Sequence, residues 1–194
     1  MSNRSIHTLL KNWDEECPLT REEAVEVLNL PEEEMDSLME CAYALRTKYK
    51  GKKVSVQLLT NVRSGNCTQN CAYCAQSKDS QAEIEKYKRV SDEKLYGDND
   101  LVDEKHLARH CIGLSGIGFS DEEIEDLADR IREMKKKDTQ ICCSIGFLTE
   151  KQARILKEAG LDRINHNLNS SRSFYPEICT THTYDQRVNN IKML

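Results

Sequence analysis

The sequence predicts an α/β fold in which parallel β-strands alternate with α-helices. Four short stretches are apolar or β-branched enough for buried strands, and they are residues 54–61, 110–117, 140–147 and 162–168. Helix-start signals stand between them, so the strands are expected to pair in parallel through right-handed crossovers. A (β/α)8 barrel typically takes about 250 residues. The 194 residues therefore suit either the first half of such a barrel, with about four strands, or a small open sheet.

Residues 1–51 are predicted to form a helical segment that precedes the barrel domain, residues 52–194. Thr20 and Glu23 have the spacing of a capping box, in which each side chain caps the backbone of the other residue. Pro31 is typical of a first helical position, and Gly51 is typical of a helix end. The segment is therefore predicted to contain two consecutive helices.

The strand at residues 54–61 is followed directly by a loop with three cysteines. Beyond this loop, residues 78–105 are charged throughout, and no firm structure is assigned to them. Within them the run YGDND, Tyr96–Asp100, has the composition of a turn rather than of a helix interior.

The later helices are predicted from their capping signals. A Ser or Thr followed three residues later by Glu or Gln marks a helix start, and such pairs follow the second and third strands. The helix after the third strand is expected to stop at Gly160, and the last helix to begin near Thr183 or Tyr184. The two capping pairs are Ser120 with Glu123 and Thr149 with Gln152.

The composition restricts the possible partners and the compartment. A formal net charge of -5 gives no general attraction to nucleic acid or to an anionic membrane, so neither is expected as a partner. The sequence shows no secretory signal and no span of about 20 apolar residues, so we expect a cytoplasmic protein. Nine cysteines, an odd number, argue against a disulfide framework and favour reduced thiols that bind metal or react.

The loop GNCTQNCAYCAQS places Cys67, Cys71 and Cys74 within eight positions. Three chemistries could use these thiols: a 4Fe-4S cluster, a structural zinc ion, or a redox-active pair. A structural zinc ion requires four ligands, and His106 and His110 lie beyond the long charged segment. A redox pair would leave Cys67 without a role. Three thiolates on a 4Fe-4S cluster leave one iron open to an exogenous ligand, so the number of cysteines favours the cluster, although spacing alone does not decide.

The C-x3-C-x2-C loop, with an aromatic residue before its last cysteine, resembles the signature of radical S-adenosylmethionine (SAM) enzymes. The sequence on both sides of this loop is similar to that of the biotin synthase family. The similar stretches are SGNCTQNCAYCAQS, HCIGLSG, ICCSIGFLTEKQARILKEAGLDRINHNLNSS and SFYPEICTTHTYDQR. This resemblance implies the TIM-barrel type of radical SAM enzymes, of which the chain would carry the N-terminal half.

The resemblance also implies an activity and a set of ligands. Cys67, Cys71 and Cys74 would bind a 4Fe-4S cluster whose free iron chelates SAM, and reductive cleavage would give a 5′-deoxyadenosyl radical. The radical would abstract hydrogens from dethiobiotin, and an auxiliary iron-sulfur cluster, 2Fe-2S or another type, would donate the sulfur that forms biotin. The enzyme class is a sulfurtransferase. Cys111 and Cys142 correspond to auxiliary-cluster ligands.

Further contacts follow from the same resemblance. Tyr73, Ser115 and Gly116 would bind the cofactor. The substrate contacts would be Asn167, Asn169 and Arg63, and Asn169 stands where the family commonly has an aspartate. An electron donor such as flavodoxin or ferredoxin and a homodimeric state are expected, and the truncated chain alone is expected to lack activity. The alternatives are another radical SAM enzyme of the same fold and a non-enzymatic metal-binding module.

Strand alternation gives an independent expectation for these residues, since successive side chains point to opposite faces of a sheet. In QICCSIGF, Cys142 shares a face with Ser144, whereas Cys143 shares the apolar face that should meet the helices. The same parity sends Cys111 inward with Cys142. In DRINHNL it sends Asn165 and Asn167 inward and leaves His166 on the packed side.

Overall fold

The structure, a computed structural model, describes residues 19–194. The first part of the predicted helical segment, residues 1–18, lies outside the described residues. Contacts between residues divide the chain into two compact units, one that ends at Val54 and one that spans Ser55–Leu194. The assignment of residues 1–51 and 52–194 as separate domains stays a prediction.

The described part of the first unit contains two α-helices, α1 at Arg21–Leu28 and α2 at Met35–Lys50. Thr20 and Glu23 form the predicted capping box at the start of α1. Pro31 is followed by a short 3₁₀ turn, Glu32–Glu34, and only then by α2. Gly51 caps the end of α2 with a φ of 65°, a conformation that glycine adopts without steric cost.

The second unit contains a parallel four-stranded sheet whose spatial order follows the chain order. The order β1-β2-β3-β4 with helical crossovers is that of the first half of a (β/α)8 barrel. Each strand is shorter than the stretch that the sequence predicts. The strands are β1 at Gln57–Arg63, β2 at Arg109–Leu114, β3 at Ile141–Ser144 and β4 at Arg163–Asn165.

Five helices follow these strands along the chain. They are α3 at Asp92–Glu104, α4 at Asp121–Met134, α5 at Glu150–Glu158, α6 at Tyr175–Ile178 and α7 at Tyr184–Met193. Complete capping boxes begin α4 and α5, as their sequences predict. A capping box of Thr183 and Gln186 also begins α7, for which the sequence analysis predicted only the position of the start. The short helix α6 has no counterpart in the sequence prediction. In the described part of the chain, no helix has the length and apolar character needed to cross a membrane.

The turn predicted at Tyr96–Asp100 is wrong, because these residues lie inside α3. Ser91 caps this helix by accepting a hydrogen bond from the backbone N–H of Lys94. The buried residues Leu95, Asn99 and Val102 follow the four-residue and three-residue spacing of one helix face. Two of these three are apolar, but the third, Asn99, is polar, and Gly97, Asp98 and Asp100 stand between them, so the sequence does not show the helical period clearly.

Replacement of Gly97 by alanine tests whether these residues form a helix. Its added Cβ would meet no atom within 4 Å, so Gly97→Ala costs no space and removes backbone freedom from the unfolded chain. We expect the free energy of unfolding to rise by about 0.5–1 kcal/mol. Urea titration followed by circular dichroism measures it. Gly146→Ala is the opposite control, because that Cβ would overlap the backbone carbonyl of Ile117 and should destabilise the chain.

The hydrophobic core lies on one face of the sheet, under α3, α4 and α5. Ile112 and Cys143 point into it from the strands, and both are fully buried. On the opposite face Leu59 is 67% exposed. Leu59, Cys111, Cys142 and Arg163 form one row across the four strands by their register. The sheet thus has one face packed by helices and one face that carries the predicted functional residues.

Candidate functional site

A cavity of about 290 Å³ lies beyond the carboxyl ends of the four strands. Active sites of (β/α)8 barrels lie at this end, because loops from neighbouring strands meet there. The cavity is lined by eight of the residues that the sequence analysis proposed: Cys67, Cys71, Cys74, Tyr73, Ser115, Gly116, Asn167 and Asn169. It brings together residues that are as far as about a hundred positions apart in the chain.

The start of the cysteine loop has an unusual backbone. Gly65 has a φ of 71° and Asn66 a φ of 53°, so two consecutive residues lie in the left-handed region just before Cys67. The Ser115 hydroxyl donates a 2.6 Å hydrogen bond to the carbonyl of Gly65, and the Gly65 N–H donates to the side chain of Gln76. Ser115 thus fixes the loop to the end of β2.

The three loop cysteines differ in exposure. Cys71 is buried, with 7% of its surface exposed, whereas Cys67 and Cys74 are partly exposed. The N–H of Cys74 donates to the carbonyl of Cys71 at 3.1 Å, which closes a tight turn between them. All three line the same cavity, so three thiols converge on one space.

Hydrogen bonds to a second segment of the chain, residues 178–181, also hold this loop in place. Asn70 accepts hydrogen bonds on its side-chain oxygen from the N–H groups of Thr180 and Thr181, at 3.1 and 3.3 Å. Its amide nitrogen donates to the Thr180 hydroxyl at 2.7 Å. The N–H of Ala72 donates to the carbonyl of Ile178. The TTHTY stretch therefore anchors the cysteine loop.

This anchoring segment brings two residues to Cys71 that the sequence analysis left without a role. The Sγ atoms of Cys71 and Cys179 are 3.8 Å apart, and Cys179 Sγ is 3.3 Å from His182 Nδ1. Burial and the neighbouring Cys179 raise the pKa of Cys71 to about 11. For Cys179, burial acts in the same direction, but hydrogen bonds from Thr181 and His182 outweigh it and lower the pKa. The position of Cys179 three residues before a histidine was the available sequence signal.

His182 is held as a neutral ring. Burial and the nearby Arg187 lower the pKa of His182 to about 4. Arg187 Nε donates to His182 Nε2 at 3.1 Å, so the ring proton sits on Nδ1, which is 2.9 Å from the side-chain oxygen of Gln69. The imidazole is therefore uncharged near neutral pH.

Tyr73 and Asn169 face each other across the cavity. The side-chain amide of Asn169 donates a 2.5 Å hydrogen bond to the Tyr73 hydroxyl. Asn169 has a φ of 66°, which asparagine tolerates better than most residues. Burial, together with the neighbouring Cys71, raises the pKa of Tyr73 well above its usual value. The pair links the cysteine loop to the segment after β4.

Cys111 and Cys142 do not line this cavity. They are direct neighbours in the register of β2 and β3, nearer the start of the strands. Cys111 donates to the side-chain oxygen of Gln57 at 3.1 Å. Burial and the proximity of Cys111 raise the pKa of Cys142 to about 11. Cys143 lies on the opposite face in the hydrophobic core, as strand alternation predicts.

The structure does not bring Arg63 into the cavity. Its guanidinium pairs with Glu123 at 3.1 Å and lies 5.4 Å from the centre of the Phe119 ring, on the side of α4. The reason is an irregularity in the register between Asn61 and Arg63, which shifts the pairing so that Arg63 lies opposite Leu114. His166, predicted to pack, lies edge-on against the Phe147 ring at 5.1 Å.

The residues around the cavity fit a cluster with three protein ligands. No Asp or Glu is among the described residues that line it, and Arg187 adds a positive charge. The remaining lining consists of hydroxyls, amides, glycine-containing loops, the aliphatic side chains of Leu114, Ile117 and Ile145, and the imidazoles of His166 and His182. Thiolates are the ligands that iron-sulfur clusters take, and a cavity without carboxylates does not repel the carboxylate of an amino-acid ligand.

Comparison with known proteins identifies relatives over most of the chain. The biotin synthase of Geobacillus kaustophilus (strain HTA426) is 41% identical over 175 residues, which is 90% of this chain and 53% of that protein. The biotin synthase of Bacillus subtilis (strain 168) is 40% identical over 176 residues, 90% of this chain and 52% of that protein. The chain thus spans about half the length of the curated relatives it matches.

Solved structures show the same fold at low sequence identity. Methylornithine synthase (PylB) superposes with a TM-score of 0.80 at 16% identity, over 95% of this chain and 53% of that chain. The FeFe-hydrogenase maturase HydG from Carboxydothermus hydrogenoformans superposes with a TM-score of 0.76 at 20% identity, over 95% of this chain and 44% of that chain. A family model described as the Radical SAM superfamily matches residues 61–194. Because that match runs from β1 through the cysteine loop to the last helix, the chain belongs to the radical SAM superfamily.

Proposed function

We propose that this chain functions in biotin synthesis, as the cluster-binding and SAM-binding half of a biotin synthase. Membership of the superfamily implies a 4Fe-4S cluster and SAM. The observation that carries the proposal is the cavity that Cys67, Cys71 and Cys74 share with Asn167 and Asn169. Relatives of about 40% identity that are named biotin synthase support the choice of substrate.

Within this proposal the residues of the chain have distinct tasks. Cys67, Cys71 and Cys74 would hold the cluster through their thiolates. Tyr73, Ser115 and Gly116 would form the wall against which SAM binds. Bound and reduced, the cluster with SAM would supply the radical chemistry that abstracts hydrogen from dethiobiotin.

The end of β4 provides the substrate side. Asn165 and Asn167 both line the cavity and are exposed, so their amides are available as hydrogen-bond partners. The Arg187 guanidinium donates to the backbone carbonyl of Asn167 at 3.1 Å and holds that segment in place. Asn167 and Asn169 would orient dethiobiotin so that its reacting carbons face the SAM side.

The second part of the proposal concerns the sulfur donor. Cys111 and Cys142 lie side by side on the open face of the sheet, below the cavity, and would supply two ligands of an auxiliary iron-sulfur cluster. Two thiolates are fewer than the four that a typical cluster takes, so further ligands must come from outside this pair. A cytoplasmic reductant such as flavodoxin or ferredoxin and a homodimeric state complete the proposal.

The test separates radical chemistry from substrate identity. The chain is reconstituted anaerobically with iron and sulfide, reduced, and given SAM with and without dethiobiotin. Formation of 5′-deoxyadenosine and methionine, stimulated by dethiobiotin, is the expected result, whereas biotin, measured by mass spectrometry, is expected only where the further auxiliary-cluster ligands are supplied. SAM cleavage that dethiobiotin does not stimulate would leave a radical SAM enzyme with another substrate. A chain that binds zinc but neither iron nor SAM would overturn both parts.

A further inference from the structure

We propose that Cys71, Cys179 and His182 form a second metal site, for a single thiophilic divalent cation of the zinc class. Among the described residues these three offer ligand atoms that all lie within 4.8 Å of one another. The site shares Cys71 with the cysteine loop but uses neither Cys67 nor Cys74. It is therefore a different ligand set, although Cys71 and His182 also line the three-thiol cavity.

The distances between the ligand atoms match a tetrahedral ion. Zinc binds sulfur at about 2.3 Å and imidazole nitrogen at about 2.0–2.1 Å, so tetrahedral geometry places two sulfurs about 3.8 Å apart and a sulfur and a nitrogen about 3.5 Å apart. The two Sγ atoms are 3.8 Å apart, and Cys179 Sγ lies 3.3 Å from Nδ1 and 3.8 Å from Nε2 of His182. The Cys71 sulfur and the imidazole nitrogen lie within 4.8 Å of each other, and an approach of these two groups would complete the geometry.

The burial of the three side chains favours a bound cation. Cys71, Cys179 and His182 are 7%, 3% and 6% exposed. A divalent cation between the two sulfurs would take the place of the proton that Cys71 donates to Cys179. Because Cys71 and His182 also line the open cavity, the fourth coordination position can be filled by water.

One rearrangement is needed at His182, because Arg187 Nε donates to Nε2 and Nδ1 carries the proton. Binding through Nε2 would displace this guanidinium contact. Arg187 Nε also lies 2.7 Å from the Tyr175 hydroxyl, so it keeps an acceptor when it releases the ring. Nδ1 would then keep its proton and its contact with Gln69.

The two sites compete for Cys71. A 4Fe-4S cluster would need the Cys71 thiolate as one of its three protein ligands, and the zinc site would need the same thiolate. Zinc at Cys71, Cys179 and His182 would therefore exclude the cluster. This competition rests on the proposed function, whereas the zinc site itself does not.

The test compares two single-thiol variants of the full chain, reduced and stripped of metal. Zinc affinity is measured by competition with a chromophoric chelator, and cobalt reports thiolate ligation through its charge-transfer absorption. We expect Cys179→Ser to weaken zinc by more than the 10–100-fold that loss of an outer-shell partner costs, and Cys67→Ser to change it less than about 3-fold. The reverse pattern would assign zinc to the cysteine loop and overturn the site.

Two further measurements keep the result independent of folding defects. The cobalt spectrum of the unaltered chain should report two thiolates, and a spectrum of three would contradict the proposal. His182→Asn should weaken zinc as Cys179→Ser does, with far-ultraviolet circular dichroism unchanged in both. Zinc added before iron and sulfide should lower iron incorporation in the unaltered chain but not in Cys179→Ser. If zinc binds at Cys179 and iron loading is nevertheless unaltered, the two sites do not compete. The zinc site itself would still stand.

Discussion

Replacing Cys71 by serine is expected to remove the 4Fe-4S cluster and with it the cleavage of SAM. The three loop cysteines are the thiols that converge on the cavity, and a serine hydroxyl is a much weaker iron ligand than a thiolate. Loss of one ligand should lower SAM cleavage by at least about 100-fold, more than loss of an outer-shell partner does. Cys67→Ser and Cys74→Ser should behave alike. Iron and sulfide content per chain, with 5′-deoxyadenosine formation, measures the effect.

Cys143 provides the matched control for this series. It is a free thiol that is fully buried in the hydrophobic core, on the opposite face of β3 from Cys142. Cys143→Ala should therefore keep the iron content and SAM cleavage of the unaltered chain and lose about 1 kcal/mol of stability for the deleted group. Equal loss of iron in Cys143→Ala and Cys71→Ser would show that the series measures misfolding.

The two metal proposals assign different roles to three thiols that lie close together. Cys67 is required for the cluster alone, Cys179 for zinc alone, and Cys71 for both. Because these assignments differ residue by residue, the same three variants measured with iron and with zinc test both proposals.

The sequence predicts those parts of the fold that depend on neighbouring residues. Capping boxes need only a spacing of three residues, and the predicted starts of α1, α4, α5 and α7 are confirmed. The interior of α3 could not be recognised, because its packing against the sheet outweighs the turn composition of Tyr96–Asp100. Tertiary context commonly overrides such local preferences.

The candidate site also divides into residues that local sequence predicts and residues that only tertiary contacts bring together. The three cysteines of the loop lie within eight positions, so their spacing could be recognised from the sequence alone. The approach of Cys179 to Cys71 joins residues 108 positions apart, and no local pattern contains that distance. Arg63 was assigned to the substrate from the resemblance, and the register irregularity after Asn61 that redirects it arises from strand pairing. Site residues that depend on long-range contacts therefore needed the structure.

Leu95→Ala is expected to give the largest loss of stability among the core changes considered. Leu95 lies in α3 with none of its surface exposed, and it belongs to the hydrophobic core against the sheet. Truncation leaves a cavity in addition to the lost transfer free energy, which together cost about 2–5 kcal/mol. The measurement is a urea titration of the metal-free chain, read as a lower midpoint at an unchanged slope.

Leu101, on the same helix, provides a control that tests whether the loss of stability depends on burial. It is 40% exposed, so the same change to alanine removes less buried surface and should cost under about 1 kcal/mol. Both substitutions alter helix propensity equally, and the difference between them isolates the packing of α3. If Tyr96–Asp100 formed a turn in solution, the two leucines would not occupy opposite environments of one helix. Similar, small losses of stability for both variants would then contradict the packing of Leu95 in the core against the sheet.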